Sequence, residues 1–129
     1  VKKGGILHAE LNAALARLGH TDEVVVADCG LPIPAGPLVV DLAFTFGVPS
    51  FLDVLDGLLA ELVVERAVIA AEVDDVNPLC AAAIDLRLPA AERITHAALK
   101  SRVAASRLVI RTGEATPYAN VLLTCGVPF

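Results

Sequence analysis

The chain has 129 residues, 56% of them hydrophobic and 4% aromatic, with a net charge of −5; that is enough for one domain with a core of Ala, Val and Leu, and too little for two. An acidic chain without a basic cluster offers nucleic acid no electrostatic footing, and every apolar run is broken well short of the roughly 18 residues of a membrane span. The mean hydropathy of +0.69 is high for a monomer, so surplus apolar surface is expected to be covered between subunits.

The opening "VKKGGILHAELNAALARLG" has lysines followed by apolar residues, as a leader would, but His8, Glu10 and Asn12 interrupt it. The chain is therefore read as cytoplasmic. Leu7, Leu11, Ala14, Leu15 and Leu18 form the stripe of an amphipathic helix, with Gly19 placed for a left-handed C-terminal cap. "EVVVAD" (23–28) reads as a buried strand, and "CGLPIPAGP" as loop, since its prolines and glycines forbid regular hydrogen bonding. "LVVDLAF" (38–44) predicts a second strand. Ser50 after Pro49 predicts the cap of a helix from Phe51 through Leu62. "RAVIAAEV" (66–73) returns to strand, residues 77–88 read as helix up to Pro89, and Glu92–Ile94 form a minor strand. Thr95 caps a helix over "HAALKSRVAAS", and "RLVIRTG" and "NVLLTCG" close the chain as strands. This alternation predicts an α/β fold: a single domain over residues 1–129, a central sheet with helices packed on its faces.

Three polar groups stand out: His20 with Asp28, His96 with Lys100, and "RTGEATPYAN" from Arg111 to Asn120. His96 and Lys100 are four apart and share a helix face. In the first turn after Thr95 the helix dipole disfavours a cation, so a neutral, hydrogen-bonding histidine is expected there. Tyr118 and Asn120, two apart, face the same side if a strand has begun, and offer a flat apolar ring with a donor and an acceptor, which suits a sugar.

Other chemistries are not signalled. "KKGG", "CGLP" and "RTGE" match neither a dinucleotide fingerprint nor a phosphate loop, and no serine sits in a nucleophile elbow. His8, His20 and His96 lack ligand spacing, and Cys29, Cys80 and Cys125 are odd in number and far apart. Neither a metal, a cofactor nor a disulfide framework is expected.

With "KKGGIL", "LARLGHTDEVVVADCGLPIP", "GVPSF", "VIRTGEATPYAN" and "GVPF" in order along essentially the whole chain, the sequence resembles the D-ribose pyranases, small mutarotases associated with ribose uptake. "GLPIP" and "YAN" favour this branch over the similar L-fucose mutarotases. The resemblance implies His20 as the acid/base group, Asp28 and His96 as sugar-binding residues, Tyr118, Ala119 and Asn120 as a further binding segment with Ala119 contributing backbone, and Lys100 as an accompanying lysine. It implies D-ribose as substrate and a homodecamer of stacked pentamers. His8 departs from a family Asn, Cys29 departs from a common Ala, and residues 73–93 match least. Fucose mutarotase activity and a non-catalytic sugar-binding accessory role are the alternatives.

Converting a pyranose to a furanose needs a base for the anomeric proton and an acid for the ring oxygen, and imidazole can serve as either at neutral pH. The geometry raises a difficulty. An extended strand from His20 to Asp28 spans roughly 26 Å at about 3.3 Å per residue, so one small sugar cannot touch both. Either the "GHTD" turn folds His20 back along the strand, or the site lies at a boundary between subunits, the resolution favoured here because it also uses the surplus apolar surface.

Overall fold

The computed structural model describes residues 1–129. In chain order the elements are α1 (Ala9–Leu15), β1 (Glu23–Ala27), β2 (Leu38–Asp41), α2 (Phe51–Leu59), β3 (Val64–Ala70), α3 (Val73–Val76), α4 (Pro78–Arg87), β4 (Glu92–Ile94), α5 (His96–Val103), β5 (Leu108–Arg111) and β6 (Val121–Cys125). The strands form one sheet in the order β2-β5-β1-β6-β3-β4, the α/β architecture expected from the alternation of patterns. β1 pairs in parallel with β5, β5 with β2, and β3 with β4, whereas β6 runs antiparallel between β1 and β3.

Strand periodicity divides the core. Val24 and Val26 join α1, α2 and α4 through Leu11, Leu15, Phe51, Leu55 and Ile84 on one face, while Val25 and Ala27 join Leu99 and Val103 of α5 on the other. Val24, Val25, Val26 and Ala27 are all fully buried, which is why this strand reads as a continuous apolar run. Burying each valine contributes about 2 kcal/mol, so β1 anchors both layers.

Several boundaries differ from the sequence reading. The first helix starts at Ala9, because His8 is its N-cap: the ring Nδ1 accepts the Leu11 N–H at 3.1 Å. Leu7 thus lies outside the stripe and is exposed. Gly19 is not a left-handed cap. α1 ends at Ala16 in right-handed geometry, the Gly19 N–H donates to Asp22 Oδ2 at 2.8 Å, and the left-handed residue is Thr21 (φ 70°). β2 stops at Asp41 because its carboxylate accepts the Ala43 N–H and turns the chain. The strand expected at 66–73 begins earlier, at Val64, and yields at its end to the short α3.

Candidate functional site

Because β1 to β5 run in one direction and β6 in the other, one edge of the sheet gathers Asp28 after β1, Glu72 after β3, His96 after β4, Thr112 after β5, and Tyr118–Asn120 before β6. The carboxyl edge of parallel strands is where open α/β sheets bind ligands, since the turns there are free to carry polar groups.

Asp28 and Asn120 are the centre of this edge. The Asp28 N–H donates to Asn120 Oδ1 and the Asn120 Nδ2 donates to Asp28 Oδ2, both at 2.8 Å. Gly30 N–H donates to the other carboxylate oxygen at 2.9 Å. Asn120 is fully buried, so its carboxamide is fixed with O toward the backbone and N toward the acid. The turn after Asp28 is held as well: the Arg111 guanidinium donates to the Cys29 carbonyl and to Asp41, and the Cys29 N–H donates to the Glu114 carbonyl at 2.8 Å. Thr112 completes the frame by donating its hydroxyl to the Ala27 carbonyl at 2.7 Å.

His96 opens α5, capped as expected by the Thr95 hydroxyl, which accepts the Ala98 N–H. Its own N–H donates to the Glu72 carboxylate at 2.9 Å. The ring meets Tyr118 edge-on, with centroids 5.0 Å apart and planes at 79°. His96 Nδ1 is the one buried side-chain polar atom with no hydrogen-bond partner. Tyr118 takes a left-handed backbone (φ 59°) that bends the chain so that the Asn120 N–H donates to the Tyr118 carbonyl at 2.9 Å. The pair is therefore not on a strand, which starts only at Val121, and it is this bend, rather than strand alternation, that positions both side chains. Ala119, between them, is fully buried. Lys100 lies one turn along α5 on an exposed face.

A cleft of ≈ 290 Å³ is lined by Asp28, Cys29, Gly30, Phe46, Glu114 and residues 115–117. An adjoining one of ≈ 220 Å³ shares Cys29 and Phe46. The largest cleft, ≈ 440 Å³, lies between residues 64–67 and 87–92 and touches none of the seven residues singled out by sequence. Cys80 and Cys125 are buried and Cys29 is half-buried. Burial, with the Glu114 carboxylate in support, pushes the Cys80 thiol up to about 11, and burial raises that of Cys125, so both are inert thiols. No three His, Cys, Asp or Glu side chains converge as a metal site.

His20 is not at this edge. It sits before β1, at the amino end of the strand, where the Thr21 N–H donates to the Cys125 carbonyl and the Cys125 N–H to the Asp22 carbonyl, both at 2.9 Å. These bonds tie the "GHTD" turn beyond the far end of β6, so it does not fold His20 back toward Asp28. The half-exposed imidazole instead places Nε2 3.1 Å from Glu65 Oε2. Glu65, Glu72 and Phe46 escape sequence reasoning; an acid in "VVERAV" or "AAEVDD" reads as a solvated residue at a strand end.

The RbsD / FucU transport protein family matches residues 1–128. The chain is 61% identical to D-ribose pyranase 1 of Rubrobacter xylanophilus and 60% to D-ribose pyranase 2 of Streptomyces griseus, each over the full length of both chains. The structure of Bacillus subtilis RbsD complexed with D-ribose superposes with a TM-score of 0.95 at 42% identity, again covering both chains completely. Fucose mutarotase from Streptococcus pneumoniae, solved with L-fucose, shares the fold at a TM-score of 0.79 and 18% identity over 95% of each chain. With a family match across its length and relatives this similar, the chain belongs to the RbsD / FucU transport protein family.

Proposed function

We propose that this chain is a D-ribose pyranase: one domain over residues 1–129 that interconverts the pyranose and furanose forms of D-ribose by acid/base-catalysed ring opening and closure. The observation that carries the reading is the polar group at the carboxyl edge, where the locked Asp28–Asn120 pair and a buried His96 Nδ1 with no partner of its own are linked through Tyr118, which meets the His96 ring and accepts the Asn120 N–H. A buried ring nitrogen left without a partner is costly; a hydrogen bond between Nδ1 and a sugar hydroxyl relieves that cost. Asp28 keeps spare lone pairs beyond its two protein donors, and Tyr118 supplies an apolar ring face for the C–H side of a sugar. The Ala119 backbone and the Lys100 ammonium add hydrogen-bond partners for the remaining hydroxyls.

His20 acts as the acid/base group. The imidazole takes the anomeric hydroxyl proton as the C1–O ring bond breaks and returns a proton to the released oxygen; closure through a different hydroxyl reverses the steps. Since His20 and Asp28 lie at opposite ends of β1 in one chain, each pocket joins the His20 end of one copy to the Asp28–His96–Asn120 end of another. Exposed apolar side chains support association: Leu79 and Leu86 on α4, and Phe44 and Phe46 on the turn after β2, are each more than four-fifths exposed. The assembly is a homodecamer of ten times the 13.4 kDa chain mass, which light scattering measures directly. Three unpaired thiols suit the reducing cytoplasm.

Saturation-transfer NMR on D-ribose tests the activity. Faster pyranose–furanose exchange with the protein, lost in His20→Ala, is the expected result. Binding without faster exchange would reduce the protein to a sugar-binding accessory, and faster exchange of L-fucose than of D-ribose would reassign the substrate.

A further inference from the structure

We propose that Glu65 is a positioning residue for His20, holding its Nε2 and so leaving Nδ1 as the atom that exchanges protons with the sugar; this rests on the acid/base reading of His20 above. Two observations converge on it. An ionised carboxylate only accepts hydrogen bonds, so the 3.1 Å contact between Glu65 Oε2 and His20 Nε2 requires the proton on Nε2. That fixes one tautomer and exposes the Nδ1 lone pair.

The backbone is also arranged to aim Glu65 at the ring. Opposite β6, Val64 pairs with Cys125 and Arg66 with Thr124, so the register shifts between them and Glu65 is the extra residue of a bulge. Bulges re-aim a side chain that a regular strand would send elsewhere.

Chemically, the step balances within the pair and the sugar. The anomeric O–H bond breaks to His20 Nδ1, a carbonyl forms at C1 as the ring C–O bond breaks, and the same Nδ1 proton passes to the released oxygen. Between those events the imidazole is a cation, and the Glu65 carboxylate opposes that charge without taking the proton, the role a carboxylate has behind a catalytic imidazole. An exposed pair tying β3 to a turn would contribute little to stability; as a positioning device it acts on rate.

The test uses the assembled protein with ¹⁵N-labelled histidine. In Glu65→Ala we expect kcat for ribose exchange to fall about tenfold with KM within about twofold, because Glu65 orients the acid/base group and not the sugar-binding edge. The two His20 ring ¹⁵N shifts, well separated in the single tautomer, should converge as both tautomers become populated. Glu65→Gln, which keeps an accepting oxygen without the charge, should fold if the alanine variant does not and should still lower kcat. Unchanged kcat in both variants, with unmoved ring shifts, overturns the proposal. Retained exchange in His20→Ala would instead overturn the acid/base reading, and the two failures are distinguishable in one series.

Discussion

Asn120 closes a ring on Asp28: its carboxamide oxygen accepts the Asp28 N–H while its nitrogen donates to the Asp28 carboxylate, both at 2.8 Å, across 92 positions of sequence. Asn120 is fully buried, so the ring cannot be replaced by water without rearrangement. Replacing Asn120 by Ala strands a backbone donor and frees the acid to rotate. The expected loss of stability is about 2 kcal/mol, with a raised KM for ribose. Chemical denaturation and exchange NMR measure the two; an unaltered KM would remove Asn120 from the sugar-binding set.

Gly113 makes a different kind of contact. A side chain there would press on the carbonyl oxygens of Thr45 and Val48, and the Gly113 N–H donates to the Pro49 carbonyl at 2.9 Å. Gly113→Ala should therefore displace the 44–49 turn that carries Phe46 into both small clefts, at a cost of about 3 kcal/mol. Gly4→Ala, whose added carbon meets nothing within 4 Å, should leave the melting temperature within a degree or so. Equal melting temperatures for the two variants would contradict the close-packed turn.

Much of this fold was legible because the signals were local. The Val24–Ala27 run is buried on both faces and so shows no alternation, Ser50 and Thr95 bond the N–H groups three residues on, and each can be read from a few neighbours. The sheet order could not, since nothing in "NVLLTCG" says that it inserts antiparallel between β1 and β3. Gly19 misled because a side chain three residues later, Asp22, took the N–H that the cap geometry would have used. At the site, Asp28, His96, Tyr118 and Asn120 carry motif signals and do gather at one edge. Glu65 and Glu72 carry none, since their roles depend on a bulge and a helix start brought near by tertiary structure. The strand between His20 and Asp28 is legible in the sequence; what the sheet adds is that the "GHTD" turn bonds to Cys125 instead of folding back, leaving the two at opposite ends of β1.

Cys29 follows Asp28 and lines both small clefts, whereas Cys80 and Cys125 are buried. A thiol reagent on the native protein should label Cys29 first, and saturating D-ribose should slow that labelling several-fold. Mass spectrometry of the labelled chain reads both. Labelling unaffected by ribose would separate these clefts from the sugar.

Cys80 sets an alkaline limit. Burial, aided by Glu114, holds its thiol up to about 11, above the ordinary 9.0. The folded pKa is the higher one, so the contribution to stability is complete below pH 9.0 and is lost as the pH rises toward 11. Over that window the unfolded chain sheds a proton that the fold retains, lowering stability by at most about 1.4 kcal/mol per pH unit. Urea unfolding of wild type and Cys80→Ala across this range checks the sign: the variant should show the shallower fall.

The most direct measurement of the central claim, that one pocket is shared by two copies, is complementation. His20→Ala and Asp28→Ala are each expected to be inactive. Co-expressed in equal amounts, they would assemble with intact His20 facing intact Asp28 at about one quarter of the boundaries. Ribose pyranose–furanose exchange restored toward that fraction of wild type is the predicted result; mixed assemblies as inactive as either variant alone would contradict it.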